Sequence, residues 1–295
     1  METGKRVIPP SELIVRPDGT VFHLRMRPDQ LADRIVLVGD PGRVGLVAHF
    51  FDRVESDGAN REFVWATGRL QGVRLTVLST GIGTDNIDIV LTELDALANV
   101  DFATRTVRDK WRKLYLVRLG TSGALQPDIP LGACILSAIS CGMDGLLNFY
   151  AGRNDVCDLK MERVFTEYMG WNPLWAKPYF VRSSALLNGL FGGFALPGIT
   201  VSAPGFYGPQ GRTVRLPLAE PDVNRKLEEF GYDRLRVTNY EMESSAVAGL
   251  AALMGHEATT LCTVVAQRTA GESETDYQPY IEKMVELTLQ KLVRF

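Results

Sequence analysis

Leu114-Tyr115-Leu116-Val117-Arg118-Leu119-Gly120-Thr121-Ser122-Gly123 reads as an apolar strand that carries one arginine and runs out into a glycine-bearing loop. The same grammar stands twice upstream. Arg34 to Val38 leads into Gly39-Asp40-Pro41-Gly42-Arg43, and Val73 to Leu78 leads into Thr80-Gly81-Ile82-Gly83-Thr84. Further strands are expected at Glu62 to Thr67, Ala133 to Ile139, Ile199 to Ala203 and Thr259 to Val265. Helical spacing of Ile87, Val90, Leu91, Leu94 and Leu97 predicts a helix after the second loop, with Thr84 or Asp85 as its N-cap. Helices are also expected at Val44 to Phe51, Leu159 to Tyr168, Tyr240 to Met254 (entered from Arg236 to Asn239) and Tyr280 to Val293. Strands alternating with helices predict an α/β fold, and no repeat or linker divides it. Residues 1–33, broken by Pro9, Pro10, Pro17 and Pro28, read as an N-terminal arm, and 34–295 as one domain. Trp171 to Gly193 carries no clear pattern.

Composition narrows the function. Lys plus Arg total 32 against 35 Asp plus Glu, a net charge of -3, so nothing draws the whole chain toward nucleic acid. No apolar run reaches the roughly 20 residues needed to cross a bilayer, and Met1 to Pro10 lacks a signal-peptide core. The expectation is a cytoplasmic protein with no membrane partner. Cys134, Cys141, Cys157 and Cys262 are too scattered for a disulfide framework or a zinc motif.

The strand-end loops suit an anion. Glycines let backbone N–H groups approach it, hydroxyls add donors, and arginines supply forked positive charge; for any one loop, a tight turn is the ordinary alternative. Neither a Walker sequence nor Gly-x-Gly-x-x-Gly is present, which turns the reading from nucleoside triphosphates and dinucleotides toward phosphate. Arg118 interrupts an apolar strand, where an unpaired charge costs several kcal/mol (about 3 or more). It either pairs with a core carboxylate or meets a ligand. Glu241-Met242-Glu243 opens an apolar helix, where helix capping is the default role of an acid. Residues two apart on a helix point about 200° apart, so one carboxylate caps while the other faces a ligand such as a ribose.

Taken in order along the chain, these segments resemble the nucleoside phosphorylase-I family, and within it the uridine phosphorylases. The matching stretches are Phe22-His23-Leu24, Gly39 to Arg43, Arg61-Glu62-Phe63, Thr80 to Gly83, Arg118 to Gly123, Asn239 to Ser244 and Gln267-Arg268-Thr269. Phe206-Tyr207-Gly208-Pro209-Gln210-Gly211-Arg212 resembles the pyrimidine branch, which sets Gln and Arg two apart. The resemblance implies a central mixed twisted β-sheet flanked by helices and reversible phosphorolysis of uridine to uracil and ribose 1-phosphate. No cofactor is implied, and inorganic phosphate is the co-substrate. It implies phosphate ligands at Gly39, Arg43, Arg118 and Thr121, with Arg61 reaching in from a neighbouring subunit of a homo-oligomer. His23 would cross the same interface toward the sugar, where Glu241, Met242 and Glu243 meet the ribose. Phe206, Gln210, Arg212 and Arg268 would hold the base.

Two rival enzymes share the fold. A purine nucleoside phosphorylase would carry an acid just before Arg268-Thr269, where this chain has Val265, and a nucleosidase would lack the full set of arginines. A non-catalytic nucleoside-binding protein would have lost Arg43, Arg118, Thr121 or Glu243. Some bacterial relatives bind a monovalent cation such as K+ between subunits through a Glu, a backbone oxygen and a Ser. Glu62 and Ile82 match the first two, and Asn86 stands at the third.

Overall fold

In the computed structural model, which describes residues 5–295, apolar alternation and glycine punctuation resolve into a large mixed sheet with helices on its faces. The strands are β1 (Arg34–Val38), β2 (Arg53–Asn60), β3 (Phe63–Leu70), β4 (Val73–Ser79), β5 (Val100–Asp101), β6 (Thr106–Val107) and β7 (Tyr115–Ala124). They continue as β8 (Cys134–Gly142), β9 (Tyr179–Arg182), β10 (Leu196–Ser202), β11 (Gly231–Tyr232), β12 (Leu235–Glu241), β13 (Glu257–Gln267) and β14 (Glu272–Ser273). The helices are α1 (Gly42–Ala48), α2 (Thr84–Asn99), α3 (Arg153–Val156), α4 (Leu159–Met169), α5 (Ala185–Phe191), α6 (Val223–Glu229), α7 (Ser244–Leu253) and α8 (Gln278–Leu292).

The main path of the sheet runs β11-β12-β10-β8-β13-β7-β1-β4-β3-β2. A further pairing of β12 with β7 closes β7, β13, β8, β10 and β12 into a ring. β1 pairs in parallel with both β4 and β7, so Val38, Ser79 and Leu119 end side by side. That register delivers the glycine loops to one edge, the carboxyl ends where ligands of open α/β sheets gather.

Three expectations change. Gly120 to Gly123 is strand, not loop: β7 runs on to Ala124 because β13 pairs along its whole length and β12 takes its end antiparallel. The helix expected from Tyr240 begins at Ser244, and β12 continues through Glu241. Gly83, at φ 97°, is the N-cap of α2 in place of Thr84 or Asp85, whose side chains make no cap hydrogen bond.

Within the N-terminal arm, Val21, Leu24, Met26 and Leu31 are buried in one core with Phe63, Trp65 and the apolar stripe of α2. Trp65 Nε1 donates to the carbonyl of Leu24 at 2.8 Å, so this part of the arm is packed at a fixed place. A second core lies on the opposite side under α1 and α8, and a third between β8, β10, β12 and helices α4 and α6. No helix among the described residues is long and apolar enough to cross a membrane.

Candidate active site

Arg118 is the centre of the site. It sits mid-strand on β7 with 4% of its surface exposed, and the position beside it is Gly39. A Cβ on Gly39 would stand 3.8 Å from Arg118 Nη2 and 3.7 Å from the carbonyl oxygen of Gly81, so all three strand ends converge here. Arg118 Nη2 donates to Glu243, while its Nη1 lies 3.3 Å from Glu241 without a bond of good geometry. Its Nε and Nη1 are buried and unpartnered. Burial works against the charge, but Glu243 and then Glu241 outweigh it and hold the guanidinium firmly protonated. Thr121 follows on β7, half-buried, and Arg43 opens α1 with its guanidinium 6.0 Å from the Tyr277 ring.

The two acids have different partners, and they stand at a strand end and a turn, not on a helix. Glu241 accepts from the backbone N–H groups of Glu243 and Ser244, each at 2.8 Å, and from the hydroxyl of Ser202. These donors fix the turn that enters α7. Glu243 reaches the other way, bridging Arg118 and the N–H of Gly83 at 2.7 Å. Its burial raises its pKa, Arg118 opposes that, and Glu241 adds to it. Met242 lies half-buried between them.

Gln210 and Arg212 lie on the irregular segment after β10. Gln210 is buried, and its Oε1 accepts from Arg212 Nη1 at 2.6 Å. Arg212 also donates to the carbonyl of Phe206 at 2.6 Å and stacks on the Phe206 ring, 3.8 Å from its centroid. Arg268 joins them from the end of β13, donating to the carbonyl of Gln210 at 3.1 Å with its stem against Gly123. Neither Arg212 nor Arg268 has a carboxylate partner among the described residues. Burial, then the neighbouring Arg268 charge, brings Arg212 down to about 10, and burial also lowers Arg268. Two mutually repelling guanidiniums with no counter-charge form a spot that favours negative charge.

His23 and Arg61 make no hydrogen bond or ion pair with this cluster. His23 Nδ1 lies 2.7 Å from Glu93, which also accepts the backbone N–H groups of His23 and Leu24. Glu93 is an acid inside the apolar stripe of α2, a signal that sequence reasoning missed. Arg61 is exposed at the tip of the β2–β3 hairpin in a left-handed conformation, φ 54°.

Glu62, Ile82 and Asn86 come together around Gly81, but not as a cation cage. Asn86 Nδ2 approaches the Ile82 carbonyl at 3.5 Å, and a Cβ on Gly81 would meet that nitrogen at 2.5 Å. In this orientation Asn86 turns an amide donor, not an oxygen, toward the Ile82 carbonyl.

An open, largely apolar cavity of about 910 Å³ adjoins the Gln210 loop, with Trp171, Trp175, Tyr207, Arg212 and Leu216 on its walls. Its outer wall is the segment around Trp171 that the sequence left unassigned. Sequence reasoning also missed Gln267, whose amide grips the carbonyls of Gln126 and Ile129 and so places Arg268.

A uridine phosphorylase of Thermococcus kodakarensis is 28% identical over 263 residues, covering 86% of this chain and 80% of the relative. A DeoD-type purine nucleoside phosphorylase of Geobacillus stearothermophilus is 26% identical, covering 92% of this chain and 98% of that protein. A solved Trypanosoma brucei nucleoside phosphorylase, described as showing uridine phosphorylase activity, superposes with a TM-score of 0.86 at 28% identity, over 96% of this chain and all of that one. The family model described as the phosphorylase superfamily matches residues 33–294, and the chain belongs to that superfamily.

Proposed function

We propose that this protein is a uridine phosphorylase, converting uridine and inorganic phosphate reversibly to uracil and ribose 1-phosphate. What carries the reading is the pairing of Gln210 with two guanidiniums, Arg212 and Arg268, that have no carboxylate to neutralise them. A uracil edge offers carbonyl acceptors and one N–H, which an amide and an arginine fork complement. Val265 stands where a purine enzyme would need an acid to protonate its base, and this favours the pyrimidine over the purine relative's substrate.

The reaction asks for little covalent help. Phosphate, held by Arg118, Arg43, Thr121 and the Gly39 backbone, attacks C1′ as the glycosidic bond lengthens. Positive charge gathers on the ribose while the electron pair of the breaking bond passes to the uracil. The Gln210–Arg212–Arg268 cradle stabilises that developing anion, and the arginines hold phosphate in line, an orientation effect. Glu243 accepts from ribose hydroxyls beside Met242, while Glu241 supports the turn that presents them. Phe206 covers the base. Arg61 and His23 complete the phosphate and sugar sites from a second copy of the chain. No step runs through a monovalent cation.

Loss of uridine absorbance with and without phosphate tests the reading. Strict phosphate dependence, with inosine a poor substrate, is expected; equal uracil release in phosphate-free buffer would make the protein a nucleosidase.

A further inference from the structure

Tyr240 is the penultimate residue of β12, 1% exposed, and its hydroxyl has no hydrogen-bond partner. A buried phenol left unpaired forfeits the hydrogen bonds it had in water, so an orphan of this kind calls for an explanation. Its Cα lies opposite that of Gly123 in the antiparallel β12–β7 pair. Directly opposed residues project to the same face of a sheet. The space a Gly123 side chain would fill is occupied by Arg268, whose Cδ lies 3.2 Å from the ideal Cβ position. Tyr240 therefore shares a face with Arg268 and, through it, with the Gln210 cradle. Arg268 Nη1 is the second buried atom there without a partner. Both guanidiniums bear on the phenol electrostatically: burial raises its pKa, while Arg268 and Arg212 act against that rise.

Most acceptors around the two guanidiniums are already in use, Asn224 Oδ1 being the exception. Arg212 takes the Gln210 side-chain oxygen and the Phe206 carbonyl, and Arg268 takes the Gln210 carbonyl. Guanidiniums donate only, so neither arginine can receive the phenol's proton. Nothing recorded in the protein receives that proton. A pyrimidine brings two carbonyl oxygens to the same place.

We propose that Tyr240 is a further base-recognition residue, whose hydroxyl accepts from Arg268 and donates to a carbonyl of the departing pyrimidine. The donated bond strengthens as the base takes up the electrons of the glycosidic bond, so its benefit falls on the transition state. The assignment rests on the uridine reading, and the test separates the two. Tyr240→Phe keeps the ring in its core and removes only the hydroxyl. Steady-state kinetics with uridine and with 5-fluorouridine, whose base is the more acidic leaving group, then give two ratios. For uridine, kcat should fall about tenfold or more with KM little changed. For 5-fluorouridine the loss should be several-fold smaller, because a better leaving group leans less on the donor. A purely structural tyrosine would slow both substrates by one factor, and that result, or no loss at all, overturns the assignment while the uridine reading stands. A wild-type protein inert toward both nucleosides overturns the functional reading, and the tyrosine's role with it.

Discussion

Gly120 decides where Arg118 can lie. A Cβ at this position would fall 2.3 Å from Arg118 Nη1 and 3.2 Å from the sulfur of Cys262, so the guanidinium folds back over its own strand only because residue 120 has no side chain. Gly120→Ala should push Arg118 out of line with the sugar. A displacement near 1 Å can cost about 100-fold in rate. The expected result is a fall of that order in kcat/KM for phosphate, with the melting temperature moving far less than activity; unchanged phosphate kinetics would show that Arg118 does not hold the nucleophile. Gln210→Ala removes a donor to the leaving base and lets Arg212 Nη1 lose an acceptor at 2.6 Å. It should cost about 2–4 kcal/mol of transition-state stabilisation, read from kcat/KM for uridine. Arg118 is conspicuous in the sequence as a charge in an apolar strand, and Gln210 enters through the resemblance of its segment to the pyrimidine branch. Tyr240 and Glu93 do not stand out, because a tyrosine in a strand and a glutamate in a helix are ordinary until burial and partners are known.

At the scale of elements, the sequence marks β1 by the continuous apolar run Ile35 to Val38, and β4 and β13 by their β-branched and apolar residues, because burial on both faces favours such side chains. It fails where a local signal and a tertiary one conflict. Glycines in β7 signal a turn, yet pairing on both sides holds them extended. β2 is missed because its run Arg53–Asn60 is polar and mostly exposed, an edge strand with nothing to alternate against. β9 and α5 hide in the segment from Trp171 because each is too short to establish a period. One junction that unites β8, β9 and α7 makes a testable claim. Asp144, just past β8, accepts from the hydroxyls of Tyr179 at 3.0 Å and Ser245 at 3.0 Å and from the N–H of Leu146 at 2.7 Å. Burial raises its pKa against those bonds. A carboxyl with a raised folded pKa gives its full stability below the unfolded value, near 4, and loses it as pH rises through the folded value. Asp144→Asn does not titrate. The melting temperature of the variant minus that of the wild type should therefore move in the variant's favour between about pH 4 and pH 7. A constant difference across that range would mean that Asp144 carries no such shift.

At the scale of the whole molecule, the candidate residues fall into a bonded cluster and two pieces, His23 and Arg61, that make no hydrogen bond or ion pair with it. Arg118 pairs with Glu243, and Arg212 and Arg268 gather on Gln210, while Arg61 is exposed at a hairpin tip and His23 is braced by Glu93 on α2. Such bracing is hard to explain for a residue with nothing to do. A carboxylate that takes three N–H groups fixes the ring and leaves Nε2 free to meet a further partner. An isologous two-fold contact would carry each pair into the other copy's cleft. The consequence is complementation. Arg61→Ala and Gln210→Ala should each be nearly inactive alone, because every site in either homodimer lacks a needed group. In a mixed dimer, one site carries both lesions and the other neither. Random pairing makes half of the dimers mixed, so co-expression should restore about a quarter of wild-type activity. Differential tags would confirm that mixed dimers form. If they form and activity does not return, each chain builds its site alone, and Arg61 belongs to the surface of its own hairpin.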